Sequence, residues 1–176
     1  MTLILGIDPG SRITGYGLVA MEKNRSRHVA SGCVTMGELP FDVRLRTIFE
    51  GITAVIREHR PDEVAIEKVF MNRNADSALK LGQARGAAIV AAALCELAVH
   101  EYSPNEIKLA VVGRGHAAKE QVQHMIKALL ALDVAPPTDA ADALAVALCH
   151  GHTRQSLVAI ARAGGGARRG RAGRYL

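Results

Sequence analysis

Residues 138 to 148 read TDAADALAVAL: nine residues of Thr, Ala, Leu and Val interrupted by two aspartates, Asp139 and Asp142. A stretch this apolar is bound for a hydrophobic core. At 100° of rotation per helical residue, the two carboxylates stand 60° apart and share one face. The pair is open to two readings. Thr138 or Asp139 could be a helix N-cap, with Asp142 in the first turn facing the positive end of the helix dipole. Alternatively, the helix carries two acids for chemistry, and then further carboxylates must be found elsewhere in the chain.

Two candidates follow from the strand pattern. LILGID, residues 3 to 8, is a short apolar run closed by a PGS turn and ends on Asp8; DEVAIEK alternates with period two and places Glu67 near its end. Each has an ordinary alternative, Asp8 as a turn former before Pro9-Gly10 and Glu67 as a solvent-facing side chain. If the two strands are neighbours and the last helix crosses their ends, four acids converge. Uncompensated, such a cluster costs several kcal/mol per charge, and Lys68 is the one basic neighbour in sequence. Divalent metals remove the cost: Mg²⁺ takes carboxylate oxygens and keeps waters for chemistry. Two such ions ~3.5–4 Å apart suit phosphodiester cleavage.

The remaining pattern predicts an α/β fold of order β-β-β-α-β-α-β-α-α. TGYGLVA and HVASGCVT continue an antiparallel meander. Leu45, Ile48, Phe49, Ile52, Val55 and Ile56 recur at helical spacing. Residues 76 to 97 form a helix apolar all round in its second half, read as buried, with Gly82 and Gly86 allowing close approach either of the sheet or of a second subunit. AVHEYS reads as a fifth strand, and Val122, Met125, Ile126, Leu129 and Leu130 mark another helix. PPT opens the last helix and Gly151 is expected to stop it.

Composition narrows the class. The 176 residues include 49% hydrophobic ones but only three Phe, three Tyr and no Trp, so the core must be aliphatic and one domain is expected. No leader and no apolar run of membrane-spanning length is present, which predicts a soluble, cytoplasmic protein without membrane contact. Cys33, Cys95 and Cys149 show no C-x-x-C spacing and read as small buried hydrophobes. CHGH, residues 149 to 152, reads as a helix end without a partner cluster rather than as metal ligands. The net charge of +5 is uneven: residues 154–176 hold six arginines and no acid, leaving 16 basic and 17 acidic residues before them. The expected division is a folded domain over 1–153 and a flexible basic tail over 154–176, either an arm for phosphate backbones or a solvated end.

LGIDPGSRITGYG, AIEKVFMNRNADSALKLGQARG and TDAADALAVAL, in this order, resemble the motifs of the RuvC family of bacterial Holliday junction resolvases, the crossover junction endodeoxyribonucleases. The resemblance covers roughly residues 3 to 153. It implies a ribonuclease H-like fold with a mixed five-stranded sheet flanked by helices, a homodimer, and Mg²⁺-dependent nicking of two opposing strands of a four-way junction, leaving 5′-phosphate and 3′-hydroxyl ends. It assigns Asp8, Glu67, Asp139 and Asp142 as catalytic metal ligands for two Mg²⁺ per site, with Mn²⁺ as a substitute. Phe70 is similar to a ring stacked on a junction base, Arg73 and Asn74 in the loop after it are expected to bind DNA near the scissile region, and Lys108 and Lys119 resemble lysines beside the DNA backbone. A branch-migration helicase complex is the implied partner. The competing readings are an actin-like ATPase or kinase domain, because GIDPGS also resembles a phosphate-binding turn, and a junction-binding protein without catalysis.

Overall fold

The computed structural model describes residues 1–23, 25–69 and 74–165. A five-stranded sheet has the order β3-β2-β1-β4-β5, built from β1 (Thr2–Asp8), β2 (Ile13–Glu22), β3 (Arg25–Thr35), β4 (Glu63–Glu67) and β5 (Val99–Tyr102). The first three strands form the antiparallel meander that their short connections dictate. β4 and β5 then add parallel to β1, each after a helical crossover. The sheet is mixed, as expected.

Alternation along β1 sorts its side chains onto two helical layers. Leu5 and Ile7, with Leu18, Val64 and Ile66, pack against α1 (Phe41–His59) and α2 (Ala75–Leu94). Ile4, Val19, Met21 and Ala65 pack instead against α3 (Pro104–Val112), α4 (Lys119–Leu129) and α5 (Thr138–Gly165). Both faces of the sheet are covered, so β4 reads apolar on both sides, as central strands do. Each fully buried Leu or Ile contributes roughly 1.5–3 kcal/mol. α1 stops where Arg60 takes a left-handed conformation (φ 50°) and returns its N–H to the Ile56 carbonyl; Pro61 then forbids another turn.

Three expectations need correction. α2 is not buried all round: Ala84, Ala88, Ala91 and Ala92 face α1 and the sheet, while Leu79, Val90 and Leu94 are exposed. A Cβ at Gly82 or Gly86 would meet nothing within 4 Å, so neither glycine serves packing on the sheet. Gly151 does not stop α5, which runs on to Gly165, carrying residues 154 to 165 of the expected tail as helix. Gly151 is there for space, since a Cβ would lie 2.5 Å from the Met21 side chain. Finally, α3 was absent from the predicted order. Its start is a capping box, with Ser103 accepting from Glu106 N and Glu106 accepting from Ser103 N, and Pro104 in the first turn. Of the cysteines, Cys149 is buried, whereas Cys33 and Cys95 are partly exposed. No helix of the described residues is long and apolar enough to cross a membrane.

Candidate active site

β1 and β4 run side by side and parallel, with Ile7 opposite Ile66. Their next residues, Asp8 and Glu67, therefore reach the end of the sheet together. α5 is laid across this end by a backbone-close contact. A Cβ at Gly6 would lie 2.1 Å from the Ala143 carbonyl oxygen, and one at Gly15, the β2 partner of Asp8, would lie 2.0 Å from that of Asp139. Only the missing side chains let the helix come so near. The turn after Asp8 is fixed by Thr14, a fully buried residue whose hydroxyl donates to the Gly10 carbonyl (3.0 Å) and accepts from its N–H (3.3 Å).

α5 begins at Thr138, so Asp139 is a residue of its first turn. The Pro137 carbonyl accepts from Ala141 N, and neither Thr138 nor Asp139 forms a capping side-chain hydrogen bond among the described residues. The N-cap reading of the opening pair therefore falls.

Asp8, Glu67 and Asp142 line one cleft of about 330 Å³, walled by Lys108 of α3 and Lys119 of α4. Asp139 does not line this cleft, yet its charge reaches Asp8. Burial, then the charges of Glu67 and Asp142, push the Asp8 carboxyl up to about 8, with a hydrogen bond to Glu67 acting in the same direction. Glu67 is also raised, chiefly by burial and with Asp142 adding to it; the Asp8 hydrogen bond, Lys119 and Lys108 oppose the rise. Lys119 Nζ stands 3.1 Å from Asp142 Oδ2, and this contact raises the lysine. The compensating cations are thus Lys108 and Lys119, both remote in sequence, rather than Lys68, whose charge acts on Glu106.

The donor set fits a hard divalent cation. Three carboxylates share one cleft, and burial together with repulsion from Glu67 and Asp142 keeps a proton on Asp8 up to about pH 8. The expected consequence is measurable. A carboxyl whose folded value exceeds its unfolded value of 3.8 binds its proton more tightly when folded, so stability is lost as pH rises from about 4 to about 8. Without divalent ions the melting temperature should fall across this window, and Mg²⁺ should flatten the fall by taking the proton's place. A melting profile unaffected by Mg²⁺ at the upper end of the window would contradict a cation site here.

The other expected site residues divide. Phe70 and Arg73 lie outside the described residues. Asn74 is the N-cap of α2, its Oδ1 accepting from Ser77 N (3.2 Å). Arg85 was not singled out from the sequence: its Nε donates to the Glu67 carbonyl (3.1 Å) and its guanidinium pairs with Glu101 (2.8 Å). It fixes the backbone that carries a catalytic candidate from 18 residues away, and no local pattern announces such a contact.

The model of the family described as crossover junction endodeoxyribonuclease RuvC matches residues 4–150. Among named relatives, the crossover junction endodeoxyribonuclease RuvC of Marinobacter nauticus is 60% identical over 171 residues, covering 97% of this chain and 98% of the relative. That of a Shewanella species is 60% identical over 160 residues, 91% and 92% of the two chains. The solved structure of T. thermophilus RuvC in complex with a Holliday junction substrate superposes with a TM-score of 0.84 at 36% identity, over 89% of this chain and 96% of that one. A yeast mitochondrial Holliday junction resolvase, at 11% identity and a TM-score of 0.63 over 92% and 83% of the two chains, shares the fold. With the acid-tipped strands, the crossing helix and these likenesses together, the chain belongs to the RuvC family of crossover junction endodeoxyribonucleases.

Proposed function

We propose that this chain is a structure-selective endodeoxyribonuclease that resolves Holliday junctions in DNA recombination and repair by paired, metal-dependent nicks in two opposing strands. The observation that carries the reading is the convergence of Asp8, Glu67 and Asp142, from three separate elements, in one cleft walled by lysines, in a chain of this family. The actin-like ATPase reading has no place in a chain matched almost end to end by RuvC relatives.

Asp8, Glu67, Asp139 and Asp142 would hold two Mg²⁺, with Mn²⁺ as a substitute, and the metal supplies Lewis acidity at the phosphate and an acidified water. The carboxylates would orient a water for in-line attack on phosphorus. A phosphorus–oxygen bond to water forms, the bond to the 3′ oxygen breaks, and that oxygen leaves with a proton as a 3′-hydroxyl beside a 5′-phosphate. Lys108 and Lys119 place point charges where the strand's phosphates approach the cleft. Lys119, paired with Asp142 at 3.1 Å, would be released for this role if a divalent ion balanced that carboxylate.

A four-way junction has approximate two-fold symmetry, so an isologous homodimer offers one cleft to each of two equivalent strands. The exposed stripe of Leu79, Val90 and Leu94 on α2, with Gly82 and Gly86 open along it, supports α2 as the dimer face. Phe70 is assigned to the junction centre, stacking on a base, and Arg73 and Asn74 are assigned to the DNA near the scissile bond. The basic residues from 154 onward suit phosphate contact, a branch-migration helicase complex is the partner in the same pathway step, and the cytoplasm is the compartment of this activity.

The deciding measurement is incubation of a mobile four-way junction with the protein, with and without Mg²⁺, against a linear duplex. Symmetric nicks that ligase seals, dependent on the ion and absent from the duplex, are expected. Equal cutting of the linear duplex would reject junction selectivity, and cutting without a divalent ion would reject the metal reading.

A further inference from the structure

β4 has a glutamate at each end. Glu67 belongs to the acid cleft, while Glu63, at the opposite end of the strand, meets two histidines. His150 of α5 is buried, only 4% exposed, and its Nε2 stands 2.6 Å from Glu63 Oε2 while its Nδ1 stands 2.7 Å from the Tyr102 hydroxyl. His100 of β5 is opposite Ala65 in the parallel pairing, which turns it toward α5, and its ring stacks on that of His150 with centroids 4.3 Å apart. The CHGH segment therefore has the partner cluster that the sequence did not reveal. One ligand atom from each of Glu63, His100 and His150 lies within 4.8 Å of the others.

Hydrogen bonding alone explains part of this cluster. Glu63 and His150 satisfy each other, and Arg154 Nε holds the second carboxylate oxygen at 3.0 Å. His100 is exposed, and its ring nitrogens make no hydrogen bond to other described residues, which leaves them open to a ligand arriving from solvent. An imidazole with free nitrogens beside a buried imidazole and a carboxylate is a nitrogen-rich donor set, unlike the all-oxygen set of the acid cleft. Such donors select borderline metals of the zinc class over Mg²⁺. The surroundings are also those of a ligating histidine. Tyr102 on Nδ1 fixes the ring's orientation, and Arg154 holds the glutamate by the oxygen that would not ligate.

We propose that Glu63, His100 and His150 form a binding site for one divalent metal of the Zn²⁺ class, separate from the acid cleft, with water completing the coordination. The metal takes the place of the hydrogen between His150 Nε2 and Glu63 Oε2, and these atoms move apart from 2.6 Å to admit bonds of about 2 Å to each. The ring proton then resides on Nδ1, and the Tyr102 hydroxyl, which donates to a bare Nδ1, accepts from it instead, so the neutral imidazole keeps one proton throughout. His100 turns its ring about the Cβ–Cγ bond to aim a nitrogen at the same point. The ion would join β4, β5 and α5 at the end of the sheet away from the nuclease cleft.

Equilibrium dialysis of the full chain against Zn²⁺, with Mg²⁺ in excess to occupy the acid cleft, tests this. One Zn²⁺ retained per chain is expected, and Asp8→Asn should retain it equally. His100→Ala and His100→Gln, changes at a strand position outside the two cores, should weaken retention by at least ~10-fold. The proposal fails if the wild-type chain retains no Zn²⁺, if retention is unchanged in both His100 variants, or if it vanishes in Asp8→Asn.

Discussion

Asp8→Asn is expected to bind a four-way junction, to lose nicking by ~10³-fold or more, and to melt at a higher temperature than the wild-type chain when no divalent ion is present. The first two effects follow from the residue's place. Asp8 is central to the cleft, and a site that cannot hold its ions loses several kcal/mol of transition-state stabilisation, about three factors of ten in rate. Binding survives because Lys108 and Lys119 are untouched. The third effect has the opposite sign for a reason specific to the cluster. Wild-type Asp8 must either carry a charge among Glu67, Asp142 and Asp139 or take up a proton that the unfolded chain would release, and both cost stability above pH about 4. Asparagine pays neither, so the gap between the two melting curves should widen up to pH about 8. Mg²⁺ should close or reverse it, because the wild-type chain gains from the ion and the variant does not. A variant that nicks at the wild-type rate, or that melts below the wild type in chelator, would remove Asp8 from the centre of the site.

The second large effect is expected at a residue that carries no charge of its own but lies beside Asp8 and Asp139. Gly15→Ala adds one methyl group whose carbon would lie 2.0 Å from the Asp139 carbonyl oxygen and 2.4 Å from its carbon. Both are backbone atoms of the first turn of α5, so the start of the helix must move. Overpacking of this kind costs ~1–3 kcal/mol of stability. The functional cost is larger, because Asp139 and Asp142 ride on the displaced turn and ~1 Å of misplacement is worth about 100-fold in rate. The comparison to make is melting temperature against nicking rate in Mg²⁺. A folded Gly15→Ala chain with undiminished nicking would show that α5 can yield without disturbing its acids.

What could be read from the sequence was whatever local pattern encodes. An apolar run closed by a PGS turn located β1 and period-two alternation located β4, and with them Asp8 and Glu67; the 60° spacing of Asp139 and Asp142 identified a shared helical face before any helix was seen. α3 escaped because nine residues sustain too little periodicity, although the Ser103-Pro104-Asn105-Glu106 start carries the chemistry of a capping box. The second half of α2 was misjudged because an apolar surface on a helix does not state what covers it. Val90 and Leu94 look like core residues in sequence and are exposed in a single chain. Gly151 was misassigned because a glycine that ends a helix and one that makes room for Met21 are the same letter. Contacts over long separations left no local trace: Lys119 with Asp142, Arg85 with the Glu67 carbonyl, and Glu63 with His150, 87 residues apart.

The order of the strands also divides the site by how readily its parts should open. β1 and β4 lie inside the sheet, flanked by β2 and β5, and their amides are covered by helices on both faces. α3 and α4 are short outer helices of 9 and 11 residues. Amide exchange should therefore be slowest around Asp8 and Glu67 and faster around Lys108 and Lys119. The carboxylates belong to the last part of the molecule to open and the ammonium groups to a part that can open on its own. The wall of the cleft can yield to an incoming strand while its floor holds its shape.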